Sequence, residues 1–189
     1  MDIIAAAVAA FEADGFRGLG VDRVLAPSGT STRTLYKHFG SKEGLVLAVL
    51  EERHRRFAEA LEAAAPEGAG EGAGEGSGAE PVAVLFDTLR RWLGEHGARG
   101  CMLLRARAEY AGASDEIVAL VRRQKQEFRA LVATRVAAAL GREDARLATQ
   151  IWLLFEGATA AASVAEPEVV EAAKAAAAAL LGAARGAAA

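Results

Sequence analysis

The sequence predicts an all-helical protein. Ala, Leu, Arg and Glu, all good helix formers, are abundant. Apolar residues return every three or four positions, and no run alternates apolar with polar residues as a strand would. At 189 residues, 52% hydrophobic and 25% charged, the chain suits one large domain or two small ones with a sizeable core.

Ile4, Val8 and Phe11 form one apolar stripe of a first helix, which Gly15 ends as a left-handed cap. A short second helix starts near Val21 behind Gly20, turns Val21, Val24 and Leu25 inward, and stops at Pro27 and Gly29. Ser31 is a good cap for a third, Thr32 to Phe39, with Leu35 and Phe39 on its inner face. Gly40 ends it. Ser41 then caps a long fourth helix, whose Val46, Val49, Leu50, Phe57 and Leu61 keep one apolar side as far as Ala65.

Residues 66–81 differ. Glu-Gly-Ala-Gly occurs twice and Glu-Gly-Ser-Gly once, too much glycine for a helix and too little to bury. A flexible acidic loop is expected. Helical spacing resumes with Val82, Leu85, Phe86, Leu89, Trp92 and Leu93. A sixth helix follows from Cys101 to Tyr110. The seventh, capped by Ser114 or Asp115, carries Ile117, Leu120, Val121, Phe128, Leu131 and Val136 up to Gly141. The eighth carries Leu147, Ile151, Leu154 and Phe155. The ninth restarts at Glu166-Pro167, with fraying expected from Gly182 onward.

Composition excludes several classes. One cysteine, Cys101, cannot build an intramolecular disulfide framework and suits a reducing, cytoplasmic setting. No segment has the 18 or more apolar residues of a membrane span, and Asp2 stands where a signal peptide would be basic, so no membrane partner is expected. His38, His54 and His96 lie too far apart for metal-ligand spacing, and neither a nucleophile motif nor a phosphate loop is present. No enzyme, metal or cofactor is expected. The net charge of −3 hides a local asymmetry: no acid stands between Arg23 and Lys42, whereas Arg23, Arg33, Lys37 and Lys42 are basic. DNA binding requires a basic face, not a basic total.

Residues 21–39 read as helix, glycine turn, helix, the helix-turn-helix plan. Such pairs also occur as plain packing motifs. The second helix offers Thr32, Arg33, Thr34, Lys37 and His38 as polar groups for a groove. Arginine can bond guanine bidentately, and threonine offers a hydroxyl or a methyl contact. Tyr36 and Lys42 are suited to phosphates, and the amides at the start of the fourth helix add a positive dipole end.

The stretch Gly29-Thr30-Ser31-Thr32-Arg33-Thr34-Leu35-Tyr36-Lys37-His38-Phe39-Gly40-Ser41-Lys42-Glu43-Gly44-Leu45 resembles the TetR family signature. Phe11 and Gly15 also fall where that family has a phenylalanine and a glycine. The strong match covers residues 3 to 50. Arg99-Gly100-Cys101-Met102 and Ala108-Glu109-Tyr110 resemble one branch of the family more weakly.

The resemblance implies a TetR-like fold of about nine helices. It places a DNA-binding domain at residues 1–45 and a ligand-binding and dimerisation domain at 46–189. It puts Thr32, Arg33 and Thr34 against bases, and Tyr36, His38 and Lys42 against phosphate. It further implies a homodimer, a double-stranded DNA operator, and a small-molecule effector that relieves repression. Three positions depart from the pattern: Pro27 shortens the second helix, Thr30 replaces a valine, and Gly20 replaces a hydroxyl cap.

In such a body the large residues Trp92, Met102, Tyr110, Phe128, Trp152 and Phe155 read first as core and second as an apolar pocket, with His96, Glu109, Gln124 and Glu156 as polar handles. Small residues on the last two helices, among them Gly157, Ala161, Ala172 and Ala176, allow close helix approach, and the resemblance puts the dimer seam there. A helical small-molecule-binding protein or enzyme without DNA binding is the competing reading.

Overall fold

The computed structural model describes residues 3–64, 81–166 and 168–186. These contain nine α-helices and no strand. They are α1 (Ile3–Asp14), α2 (Val21–Leu25), α3 (Thr32–Phe39), α4 (Lys42–Ala63), α5 (Ala83–His96), α6 (Met102–Tyr110), α7 (Asp115–Leu140), α8 (Ala145–Ala161) and α9 (Glu168–Gly186). A 3₁₀ turn, Ala26–Ser28, follows α2. The all-helical class and the helix order are as the sequence predicts. The expected loop at 66–81, apart from Pro81, and the expected role of Pro167 lie outside the described residues.

Packing divides the chain into two compact units, Met1–Arg56 with Cys101–Lys125, and Phe57–Gly100 with Gln126–Ala189. The core of the first joins Phe11, Phe16, Leu35, Leu45 and Leu50 to Ala106 and Tyr110 of α6 and Ile117 of α7. The Phe11 and Phe16 rings lie 5.0 Å apart, and Tyr110 meets Phe16 edge-on at 6.4 Å. The Ile4–Val8–Phe11 stripe faces this core as expected: Phe11 is buried in it, with half-buried Ile4 and Val8 packed against it, and α1 also buries Ala6 and Ala7. Alanine faces let the neighbours approach more closely than a larger stripe would.

The second core gathers Leu61, Leu85, Phe86, Leu89, Phe128, Val132, Ile151, Phe155 and Leu181 from α4, α5, α7, α8 and α9. Within it α9 packs on both α8 and α5. Polar side chains cap the starts of α7 and α8. Asp144 accepts the Leu147 amide at 2.9 Å, and that bond holds its carboxyl below the usual range. Of the two caps offered for α7, Ser114 serves, its Oγ receiving the Ile117 amide at 3.4 Å. Fraying from Gly182 is also corrected. α9 continues to Gly186 because Leu181 is buried and Arg185 donates to the Ala139 carbonyl at 2.9 Å. No helix among the described residues is long and apolar enough to cross a membrane.

Candidate nucleic-acid interface

Val24 and Leu25 anchor α2 in the first core. Pro27 ends it early, as expected, and the chain continues through the 3₁₀ turn to Gly29. Ser28 Oγ donates to the Leu25 carbonyl at 2.8 Å and receives the Thr30 amide at 3.2 Å, which tightens the turn. Thr30, the departure in that turn, is half-buried.

Ser31 begins α3 as predicted: its Oγ accepts the Thr34 amide at 3.2 Å and lies 2.9 Å from the Thr34 hydroxyl. That hydroxyl is therefore shared with the cap. Leu35 is fully buried and Phe39 half-buried, which fixes the roll of α3. The opposite face exposes Arg33, Tyr36, Lys37 and His38. Tyr36 is 53% exposed. Thr32 and Thr34 are half-buried at the edges of that face. Arg23, counted with the basic group, is held by Asp14 at 3.1 Å.

The next helix is seated against α3. Ser41 Oγ accepts the Gly44 amide at 2.9 Å, capping α4 as expected. A Cβ at Gly44 would sit far inside contact distance of the Phe39 carbonyl oxygen, so glycine is what allows this approach. Lys42 is half-buried, and its Nζ donates to the Arg17 carbonyl at 3.1 Å. Partial burial lowers its pKa from the ordinary value, opposed by the nearby Glu109 carboxylate.

The residues named for a ligand pocket fall into two groups. Met102, Glu109, Tyr110 and Gln124 lie in the first unit. Tyr110 is core, and burial raises its hydroxyl pKa. The Glu109 carboxylate is taken by the Phe16 and Arg17 amides, each at 2.8 Å. Gln124 is 3% exposed, and its Oε1 has no hydrogen-bond partner.

The second unit brings Trp92, His96, Phe128 and Phe155 together around Phe57. Phe57 lies 5.2 Å from Trp92 and 6.1 Å from both Phe128 and Phe155. Phe128 and Phe155 are 4.6 Å apart, and His96 stacks on Trp92 at 4.0 Å. Trp152 packs on the same core, under the Arg129 guanidinium at 5.4 Å, with its buried Nε1 unpartnered. Glu156 is half-buried on α8. A cavity of about 380 Å³ in this unit is lined instead by Arg90, Leu93, Ala98, Ala162, Glu168 and Glu171. Cys101 is half-buried at the start of α6.

Sequence reasoning missed Phe16 and Leu19, both buried, although apolar residues inside a glycine-rich turn are themselves a sign of anchoring. It missed the close approach at Gly44. It also missed Thr88, a buried hydroxyl without a partner, one turn before Trp92 on α5.

A capped, amphipathic helix that buries Leu35 and exposes Arg33, Tyr36, Lys37 and His38, behind a short bracing helix, has the geometry of a helix-turn-helix. The family model described as "Bacterial regulatory proteins, tetR family" matches residues 3–49. A solved TetR-family transcriptional regulator from Streptomyces coelicolor is 26% identical, with a TM-score of 0.83 over 97% of this chain and 88% of its own. The fold is shared with a TetR transcription regulator from Haloarcula marismortui, at 19% identity and a TM-score of 0.75 over 96% of this chain and 95% of that one. It is shared too with the regulatory protein TetR from Rhodobacter sphaeroides, at 21% identity and a TM-score of 0.75 over 90% and 92%. No curated protein matches the chain. Residues 3–49 thus match the TetR-family model, and the chain as a whole shares its fold with solved TetR-family regulators. The matched features are those of a DNA-binding transcriptional regulator.

Proposed function

We propose that the protein is a repressor that binds a near-palindromic operator as a homodimer and is released by a small molecule. The observation that carries this reading is the exposed polar face of α3, Arg33 to His38, fixed in roll by buried Leu35. Residues 1–45 read DNA and residues 46–189 bind the effector and dimerise. Thr32, Arg33 and Thr34 meet bases, Lys37 faces the groove, and Tyr36, His38 and Lys42 hold the backbone.

Dimerisation through α8 and α9 is supported by apolar surface without a partner in the protomer. Leu153 is 56% exposed and Val164 88%, beside the small residues Gly157 and Ala160. In such a two-fold dimer, reading helices about 34–36 Å apart, one DNA turn, fit successive major grooves.

The effector is received in the second unit by the rings of Trp92, Phe128 and Phe155, with His96 and Glu156 as polar handles. An apolar wall with few polar groups suits an aromatic or aliphatic small molecule. An effector that prefers one arrangement of α4, the helix carrying Phe57, shifts the population away from the DNA-competent state.

Sedimentation equilibrium combined with duplex binding at several salt concentrations tests this. The expected result is two protomers per duplex and log affinity falling linearly with log salt. A monomer with salt-indifferent binding would contradict it.

A further inference from the structure

We propose that Glu109 is a positioning residue for DNA binding: its carboxylate fixes the main chain at Phe16–Arg17, and that segment in turn sets the Lys42 ammonium for a DNA phosphate. The proposal rests on the reading of Lys42 as a phosphate contact.

The geometry is continuous. Glu109 Oε2 accepts the amides of Phe16 and Arg17, each at 2.8 Å. Its Oε1 accepts from Arg105 Nε at 3.2 Å, and Arg105 Nη1 donates to the Glu12 carbonyl at 3.0 Å. The Arg17 guanidinium returns a bond to the Glu109 carbonyl at 3.3 Å. The turn after α1 is thus gripped from α6 at several points. The Arg17 carbonyl, on the far side of the same residue, receives Lys42 Nζ at 3.1 Å.

Gly15 makes room for the grip. Its φ is +82°, and a Cβ there would lie 2.9 Å from both Arg105 Nη2 and Glu109 Oε1. A carboxylate that accepts two main-chain amides forms charge-assisted bonds, about twice as strong as neutral ones.

The consequence for DNA follows from donor counting. An ammonium has three N–H donors. One is given to the Arg17 carbonyl, leaving two for a phosphate oxygen. A tethered lysine also has less rotamer freedom to lose on binding than a free one. The Glu109 charge further favours the protonated amine against the partial burial that opposes it.

A double-mutant cycle on the full chain tests this, read as anisotropy of a fluorescein-labelled duplex that the wild-type protein recovers from a random pool. Glu109→Gln keeps shape and an acceptor but removes the charge. It should weaken binding about ten-fold in the wild-type background and less than about two-fold in the Lys42→Ala background. It should also lower the salt slope by about one, as Lys42→Ala does. An equal loss in both backgrounds, or no loss in either, overturns the proposal while Lys42 stays a phosphate contact. If Lys42→Ala alone changes nothing, the underlying reading falls and the proposal with it. Where Glu109→Gln melts below the assay temperature, Glu109→Asp replaces it, its charge kept and its reach shortened, and is judged by the same outcomes.

Discussion

The α-carbon of Gly44 faces the carbonyl oxygen of Phe39 so closely that no side chain fits between α4 and the end of α3. Gly44→Ala must therefore move backbone at the end of the reading helix. Overpacking of this kind costs about 1–3 kcal/mol. The expected result is a loss in that range by urea denaturation, with a loss of duplex binding larger than the stability change explains. Normal stability and affinity would mean that the two helices can part without consequence.

Glu12 and Arg53 link α1 to α4 at 2.6 Å, with only 15% and 14% of their side chains exposed. Burial lowers the Arg53 pKa, and Glu12 opposes that shift. A pair this sheltered lies between exposed bridges, worth about 0–1 kcal/mol, and buried ones, whose breakage costs about 3–5. Glu12→Ala should cost about 1–3 kcal/mol. Replacing both residues by leucine should cost less, because no charge is then left buried alone. Chemical denaturation of the three proteins checks the order.

Thr88 hides its hydroxyl in the second unit without a partner. Threonine in a helix commonly bonds the carbonyl four residues back, and here it does not. Thr88→Val keeps the shape and removes an unsatisfied polar atom. The expected thermal melt is unchanged or raised, by up to about 1 kcal/mol. A loss above about 1 kcal/mol would mean that the hydroxyl is bonded after all.

Glu52 holds Arg55 and Arg56 on α4 through side-chain hydrogen bonds at 2.8 and 2.6 Å, and these bonds lower its pKa to about 2. A depressed carboxylate pKa contributes stability that is present above the unfolded value of about 4.5 and lost as pH falls toward 2. The arginines are about half exposed, so screening keeps the effect below about 1 kcal/mol. Glu52→Gln should therefore be slightly less stable than wild type at neutral pH, with the gap closing between about pH 4.5 and 2. A gap that persists at pH 2 would contradict the assignment.

Much of this could be read from residue pattern. Ser31, Leu35 and Gly40 mark α3 to the residue because cap, buried face and stop are local signals. Pro27 announced the early end of α2 for the same reason. The Glu109 grip was less visible, since its partners lie more than ninety positions away and are main-chain amides, which leave no trace in side-chain identity. The Arg105–Glu109 spacing on α6 was the one local hint. Among the large residues of the body, type alone could not separate Tyr110, packed on Phe16, from Trp92, Phe128 and Phe155 around Phe57. That division depends on which helices meet.

The most direct test of the central claim is selection of bound sequences from a random duplex pool by the wild-type protein, with Arg33→Ala alongside. An enriched near-palindrome that blurs at particular positions in the variant is the expected result, with about 1–3 kcal/mol of discrimination lost there. No enrichment at low salt, or identical enrichment by both proteins, would contradict the assignment of α3 as the reading helix.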